Sequence, residues 1–238
     1  MFCCAGSMSG ECMQSIRALI ERTKEASRLL SAVDINERNG IISDMLDELD
    51  ANKEIIARLN KQDMLSGQAM RLSDEMIREL MMDVQRLDST IEKLRKIFKK
   101  DEMPCSITYA AADLKKKRPA DAVQVFALVY ESRPYLTAEA AVMCFMSGRA
   151  VILRGGKEAF HTNTAIASIL CDVLEKHGLP RDLIKLIPTS DRVMTAELVQ
   201  ADDLVDLVIP CGSEWLIQYV QNNSKIPVIT NYKEIFGL

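Results

Sequence analysis

The 238-residue chain predicts an α/β fold, a parallel wound sheet preceded by a helical region. Three observations carry that reading. Up to about residue 100 the apolar residues recur every three or four positions, the spacing of amphipathic helices. From Val123 the pattern changes to short β-rich apolar runs separated by helical stretches, as in repeated strand–helix units. One of those runs, Val151-Ile152-Leu153, empties through Arg154-Gly155-Gly156-Lys157 directly into a helical pattern beginning near Glu158.

Taken in order, Ile16, Leu19, Ile20, Leu29 and Leu30 predict a helix within Met13–Leu30. Asp34-Ile35-Asn36-Glu37 has the form of a capping box, an acceptor at the cap and a glutamate three residues on. The helix it opens carries Ile41, Ile42, Met45, Leu46, Leu49, Ile55, Ile56 and Leu59, and the pattern breaks at 50–53 and 60–73. Those breaks come too early for a coiled coil, so the stripes predict core packing. Ser73-Asp74-Glu75 starts a further helix, and Ile91, Leu94, Ile97 and Phe98 mark the last one. Charge followed by Pro104 closes the region. The predicted division is a helical region at 1–104, a flap or linker at 105–122 and a sheet domain at 123–238.

In the second part Val123–Tyr130 reads as a strand, and Glu131-Ser132-Arg133-Pro134 as a turn, since residues before proline avoid helical geometry. Thr137 is the expected cap of a helix that Gly148 stops. Ala150–Arg154 is the next strand, and a long helix runs from about Glu158 to His177, ended by Gly178. Strands follow at Leu183–Ile187, Leu204–Ile209 and Ile226–Thr230, with helices at Asp191–Ala201 and Ser213–Gln221 between them. Right-handed crossovers would gather the turns after the strands along one edge, where such folds bind ligands, and three of them carry ligand-type residues: Glu131–Tyr135, Arg154–Glu158 and Pro210–Ser213.

Composition excludes several function classes. A net charge of −4, with one basic run at Lys115–Arg118, argues against a nucleic-acid surface. No apolar stretch approaches the roughly 18 residues of a membrane span, and the first residues lack a secretory pattern. Seven cysteines without a CxxC pair, and only two histidines, fit neither a disulfide framework nor a zinc site. A reducing cytoplasm is the expected setting.

The turn after the second strand is the leading site candidate. Gly155 and Gly156 present no Cβ, Lys157 is a cation, and a helix N-terminus favours negative charge, a combination that suits a phosphate. The alternative is a purely structural turn, and the absence of GxGxxG removes the ordinary dinucleotide fingerprint. Side chains filling that corner would speak against a ligand there. Glu131 and Arg133 are read either as an ion pair at their turn or as ligand contacts. His161 and His177 read as surface or cap residues, and Trp215 with Tyr219 as helix packing.

The longer motifs add a family resemblance. Tyr130-Glu-Ser-Arg-Pro134, Gly148-Arg-Ala-Val-Ile-Leu-Arg-Gly-Gly-Lys-Glu158, Asn163, Gly178-Leu-Pro180, Asp191-Arg192, Asp206-Leu-Val-Ile-Pro210 and Ile226-Pro-Val-Ile229 occur in that order. The sequence resembles gamma-glutamyl phosphate reductase, or glutamate-5-semialdehyde dehydrogenase, of the aldehyde dehydrogenase superfamily. That resemblance implies a Rossmann-like cofactor domain for NADPH, with Arg154, Gly155, Gly156, Lys157 and Glu158 at the adenosine ribose. Lys157 then suits the 2′-phosphate, while Pro210, Gly212 and Ser213 meet the pyrophosphate. The implied reaction reduces L-glutamyl 5-phosphate to glutamate 5-semialdehyde in proline biosynthesis through a cysteine thioester.

Departures accompany the match. The family continues into a domain carrying the nucleophilic cysteine, whereas this chain stops at Leu238, so it is read as truncated before that residue, with no catalytic residue of its own. Cys211 stands where the family has arginine, Ser213 where it has the second glycine, and Tyr135 where it has the asparagine that helps hold an oxyanion. The family's VPLG before the first strand and its glycine-rich continuation after the last are missing. The expected activity is therefore cofactor binding alone. Expected partners are the nucleotide, a second copy through an unpaired sheet edge, or a separate chain carrying the catalytic domain. The competing expectation is a non-catalytic interaction or regulatory protein of the same descent.

Overall fold

The computed structural model describes residues 15–30, 32–99, 124–187 and 192–232. Five helices come first: α1 (Ile16–Leu30), α2 (Ile35–Ala51), α3 (Lys53–Ala69), α4 (Asp74–Leu80) and α5 (Val84–Lys99). The Asp34 carboxylate accepts from the Asn36 and Glu37 amides, and Ser73 Oγ accepts from Met76 N, so both predicted caps form. The stretch from the Asp34 cap through Leu59 is two helices, divided within the pattern break expected at 50–53. Asn52 leaves helical geometry, and Glu48 O accepts both its side-chain Nδ2 at 2.8 Å and its backbone N at 3.1 Å. The expected break at 60–73 is also shorter than predicted, because α3 continues to Ala69.

The second part holds β1 (Val125–Tyr130), α6 (Tyr135–Met146), β2 (Ala150–Arg154), a 3-10 turn at Lys157–Ala159, α7 (Phe160–Lys176) and β3 (Ile184–Leu186). It ends with α8 (Arg192–Gln200), β4 (Leu207–Cys211) and α9 (Glu214–Asn223). All pairings are parallel, in the order β3-β2-β1-β4, which is the wound sheet expected. β1 and β2, buried along their whole length, form its centre. Gly148 and Gly178 both stop their helices at φ +73°, a region open to glycine without strain.

Three details differ from expectation. Helix α6 starts at Tyr135 on Pro134, and Thr137 is buried inside it, so Thr137 is not the cap. Pro210 and Cys211 lie within β4, paired with Val129 and Tyr130, whereas a turn was expected there. The last strand is reduced to one bridge, Val208 to Val228, with Val208 N donating to Pro227 O at 3.0 Å. Proline at 210 is tolerated because that bridge is the sole partner on the outer side of β4 among the described residues.

Buried residues of α1, α2, α3 and α5 join those of the sheet and α6 in one apolar cluster. The helical region thus shares its core with the sheet. The predicted flap, the Lys115–Arg118 run and the terminal segments lie outside the described residues. No helix among the described residues is long and apolar enough to cross a membrane, and no metal-ligand cluster occurs among them.

Candidate functional site

The C-terminal ends of β2, β1 and β4 carry the three turns singled out from the sequence. At the first, Arg154 is buried at the end of its strand, its Nη1 donating to Gly155 O at 3.3 Å. A Cβ on Gly155 would fall on Asn163 Nδ2 and come within 3.2 Å of the Tyr130 hydroxyl. A Cβ on Gly156 would fall on the carboxylate of Glu158. The space left by the missing Cβ atoms is thus filled by the protein's own side chains, which corrects the expectation of bare backbone open to a ligand.

Those side chains are anchored. Glu158 Oε1 accepts from Ser132 N at 2.6 Å and Ser132 Oγ at 3.0 Å, tying the 157–159 turn to the turn after β1. Ser132 sits at φ +47°, a conformation costly for a non-glycine residue and sustained here by those two bonds. The Thr137 hydroxyl donates to Asn163 Oδ1 at 2.9 Å, so the Tyr130 hydroxyl must donate to Thr137 Oγ1 at 2.6 Å.

The helix N-terminus at this corner is likewise occupied. Asp63, reaching over from α3, accepts from His161 N, Thr162 N and Thr162 Oγ1 at 3.1, 2.7 and 2.6 Å. A buried carboxylate therefore supplies the negative charge that the dipole of α7 favours. Asn60 completes the joint by donating to Thr162 Oγ1 and Leu80 O while accepting from Met82 N. Lys157 alone of the motif projects outward. It is exposed and has no ion pair among the described residues.

The turns after β1 and β4 face each other across a cleft of about 180 Å³ lined by Glu131, Ser132, Arg133, Gly212 and Ser213, with Glu75, Met76 and Glu79 on the helical side. Ser213 caps α9 by accepting from Leu216 N, and its own amide donates to Glu131 Oε2 at 3.0 Å. A carboxylate oxygen thus already rests where an anion meets this helix. The Glu214 amide, the next in line, has no acceptor among the described residues. A Cβ on Gly212 would come within 2.7 Å of Glu131 Oε2 and 2.9 Å of Leu216 Cδ2, so those side-chain ends would have to shift.

Glu131 and Arg133 do not pair with each other. Arg133 Nε meets Glu79 at 3.2 Å, and its Nη1 donates to Cys211 Sγ at 3.3 Å. Its guanidinium also lies over the Tyr232 ring at 6.0 Å. The Tyr135 hydroxyl donates to Glu79 at 3.4 Å. Burial pushes the Cys211 thiol up to about 11 despite the cation beside it, so at neutral pH it is a protonated, enclosed thiol and a poor nucleophile. Cys144 and Cys171 are buried as well. His177 contacts Asp44 at 2.7 Å where α7 ends, the cap role expected, and Trp215 stacks on Tyr219 at 5.3 Å.

Sequence reasoning missed Asp63, Glu79 and Tyr232. Asp63 carried a weak signal as a carboxylate on an otherwise mixed helix face. Glu79 and Tyr232 reach the site from distant parts of the chain and carried none.

Residues 6–232 match the aldehyde dehydrogenase family. Gamma-glutamyl phosphate reductase of Idiomarina loihiensis is 35% identical over 229 residues, covering 94% of this chain and 55% of that protein. The enzyme of the same name from Nautilia profundicola is 37% identical over 221 residues, covering 92% and 54%. The chain spans about half the length of the curated relatives it matches. Among solved structures, gamma-glutamyl phosphate reductase of Thermotoga maritima gives a TM-score of 0.76 at 22% identity, covering 92% of this chain and 53% of that one. NADP-dependent glyceraldehyde-3-phosphate dehydrogenase of Bacillus halodurans, complexed with NADP, gives 0.65 at 15%, covering 91% and 44%. Likenesses at those identities establish the fold, and the match over residues 6–232 establishes the lineage: the chain belongs to the aldehyde dehydrogenase family.

Proposed function

We propose that this chain binds NADPH along the C-terminal ends of β2, β1 and β4, as the cofactor-binding portion of a gamma-glutamyl phosphate reductase-type oxidoreductase. The observation that carries the reading is the cleft between Glu131–Arg133 and Gly212–Ser213, at the sheet edge where wound α/β folds take their ligands. Lys157, exposed and unpaired among the described residues, would hold the 2′-phosphate, with Arg154 behind it adding positive potential. Gly155, Gly156 and Glu158 serve by fixing the turn that presents Lys157. The Ser213 and Glu214 amides would hold the pyrophosphate, with Pro210 and Gly212 shaping the approach. Glu131 swings off Ser213 to admit it.

NADPH, when bound, supplies a hydride to a carbonyl carbon. For the complete enzyme the reaction is reduction of L-glutamyl 5-phosphate to glutamate 5-semialdehyde, in cytoplasmic proline biosynthesis. The nucleophile is not assigned to Cys144, Cys171 or Cys211, all three of them buried.

A second reading, a non-catalytic interaction protein of the same descent, is favoured by one observation. Cys211, Tyr135 and Arg133 form a closed cluster with Glu79 at the end of the cleft. Thermal unfolding with NADPH separates the two. A ligand at about a hundred times its Kd stabilises by roughly 2.7 kcal/mol, which for a chain of this length raises Tm by several degrees, at ~2–4 °C per kcal/mol. An unchanged Tm at millimolar NADPH selects the second reading.

A further inference from the structure

A dinucleotide whose pyrophosphate rests at Ser213 has two ends to place. The adenosine reaches back toward Lys157, and the nicotinamide riboside must continue on the far side of the pyrophosphate. The structure treats those ends differently. Toward β2, the Lys157 side chain is exposed. On the other side the cleft is walled by Arg133 and Glu79, and the space behind them is filled by protein.

Arg133 Nε pairs with Glu79 Oε2 at 3.2 Å, and its Nη1 donates to Cys211 Sγ at 3.3 Å. The Tyr135 hydroxyl donates to the same Glu79 oxygen at 3.4 Å. Tyr232 closes the group, its ring 6.0 Å from the Arg133 guanidinium and its hydroxyl interacting with Tyr135 and the Cys211 thiol. Cys211 is 1% exposed, and Tyr135 and Tyr232 pack on the apolar core. The backbone holds this block in place. Cys211 lies inside β4 opposite Tyr130, Glu131 N donates to Cys211 O at 3.1 Å, and Leu136 N donates to Arg133 O at 3.0 Å. Opening the block requires Arg133 and Tyr135 to give up Glu79 together, with loss of charge-assisted hydrogen bonds. The cleft in front of it, about 180 Å³, is also smaller than the roughly 300–1,000 Å³ of pockets that enclose a whole small molecule. It has room for a pyrophosphate and none for a riboside besides.

We propose that the group recognised at this site is a 2′-phosphorylated adenosine diphosphate, and that Arg133, Tyr135 and Cys211 shut out the nicotinamide end of a dinucleotide. NADPH is then held by one half of its structure, and this chain does not position the hydride donor. The inference rests on the NADPH reading for the Lys157 and Ser213 contacts and deepens it by stating which half is bound.

The test titrates the full chain by calorimetry with NADPH, with 2′-phospho-ADP-ribose, which lacks only the nicotinamide, and with reduced nicotinamide mononucleotide. NADPH and 2′-phospho-ADP-ribose are expected to bind within three-fold of each other, and the mononucleotide not at all at millimolar concentration. Saturation-transfer NMR on bound NADPH should mark the adenine protons and leave the nicotinamide protons unmarked. In Tyr135→Ala the block loses its ring, and NADPH should gain at least five-fold over 2′-phospho-ADP-ribose. NADPH binding more than three-fold tighter than 2′-phospho-ADP-ribose in the wild type overturns the proposal, as does transfer to the nicotinamide protons or an unchanged ratio in Tyr135→Ala. If Tyr135→Ala does not fold, the wild-type comparison decides alone. Failure of the cofactor reading has a different signature, no binding of either adenosine ligand, and takes this inference with it.

Discussion

The turns after β2 and β4 look alike in sequence, each a strand running through glycine into a helix, yet the protein uses them differently. At the Arg154–Glu158 turn the features associated with phosphate binding are met internally except for Lys157: Asn163 and Glu158 fill the glycine space, and Asp63 caps the helix. At the Gly212–Ser213 turn the helix caps itself through Ser213, one amide rests on a movable carboxylate, and a cleft opens beside it. A glycine pair before a helix therefore does not by itself mark a ligand. The informative question is which atoms already occupy the space and the amides.

Substitutions at the closed corner have the largest expected effects. Asp63→Ala leaves two backbone amides and the Thr162 hydroxyl without their acceptor in a buried setting. The expected loss is about 2–4 kcal/mol from the orphaned donors and the missing cap, measured by urea denaturation. Gly155→Ala forces a methyl onto Asn163 and disturbs the Tyr130–Thr137–Asn163 chain. Overpacking of this kind costs ~1–3 kcal/mol. A neutral result at both positions would mean that the corner is open after all, and would return Gly155 and Gly156 to the list of ligand contacts.

At the open turn the effects on stability are smaller. Ser213→Ala removes a cap at the surface and should cost about 1 kcal/mol, less than Asp63→Ala. Equal losses would erase the distinction between the two turns. Cys211 sharpens it further. With its thiol raised to about 11 by burial, it should resist iodoacetamide in the native protein at pH 8 and react once the chain is unfolded, as read by peptide mass mapping. Rapid native alkylation would show that the cluster around Arg133 opens readily.

Much of this architecture was legible in the sequence because periodicity and caps are local. The Asp34 and Ser73 caps, the stops at Gly148 and Gly178, and the buried runs of β1 and β2 all follow from neighbours in the chain. What escaped was set by distant partners. Thr137 could be placed only once Tyr130 and Asn163 closed on it. The strand at 226–230 shrank to a bridge because pairing strength is not encoded in β-propensity alone. In the site, residues 154–158 and 210–213 were found as a motif, but their partners Asp63 and Glu79 come from the helical region and carried no motif of their own.

The central claim is that Lys157, the one outward residue of the closed turn, recognises the 2′-phosphate of a nicotinamide cofactor lying across the sheet edge. Titration of NADPH and NADH into the wild type and Lys157→Ala, followed by cofactor fluorescence, tests it directly. The account predicts saturable NADPH binding that weakens roughly ten-fold in the variant, the scale of about 1.4 kcal/mol for one charge-assisted contact, with NADH binding unchanged. Equal affinity of wild type and variant for NADPH, or no NADPH binding by either, would contradict it.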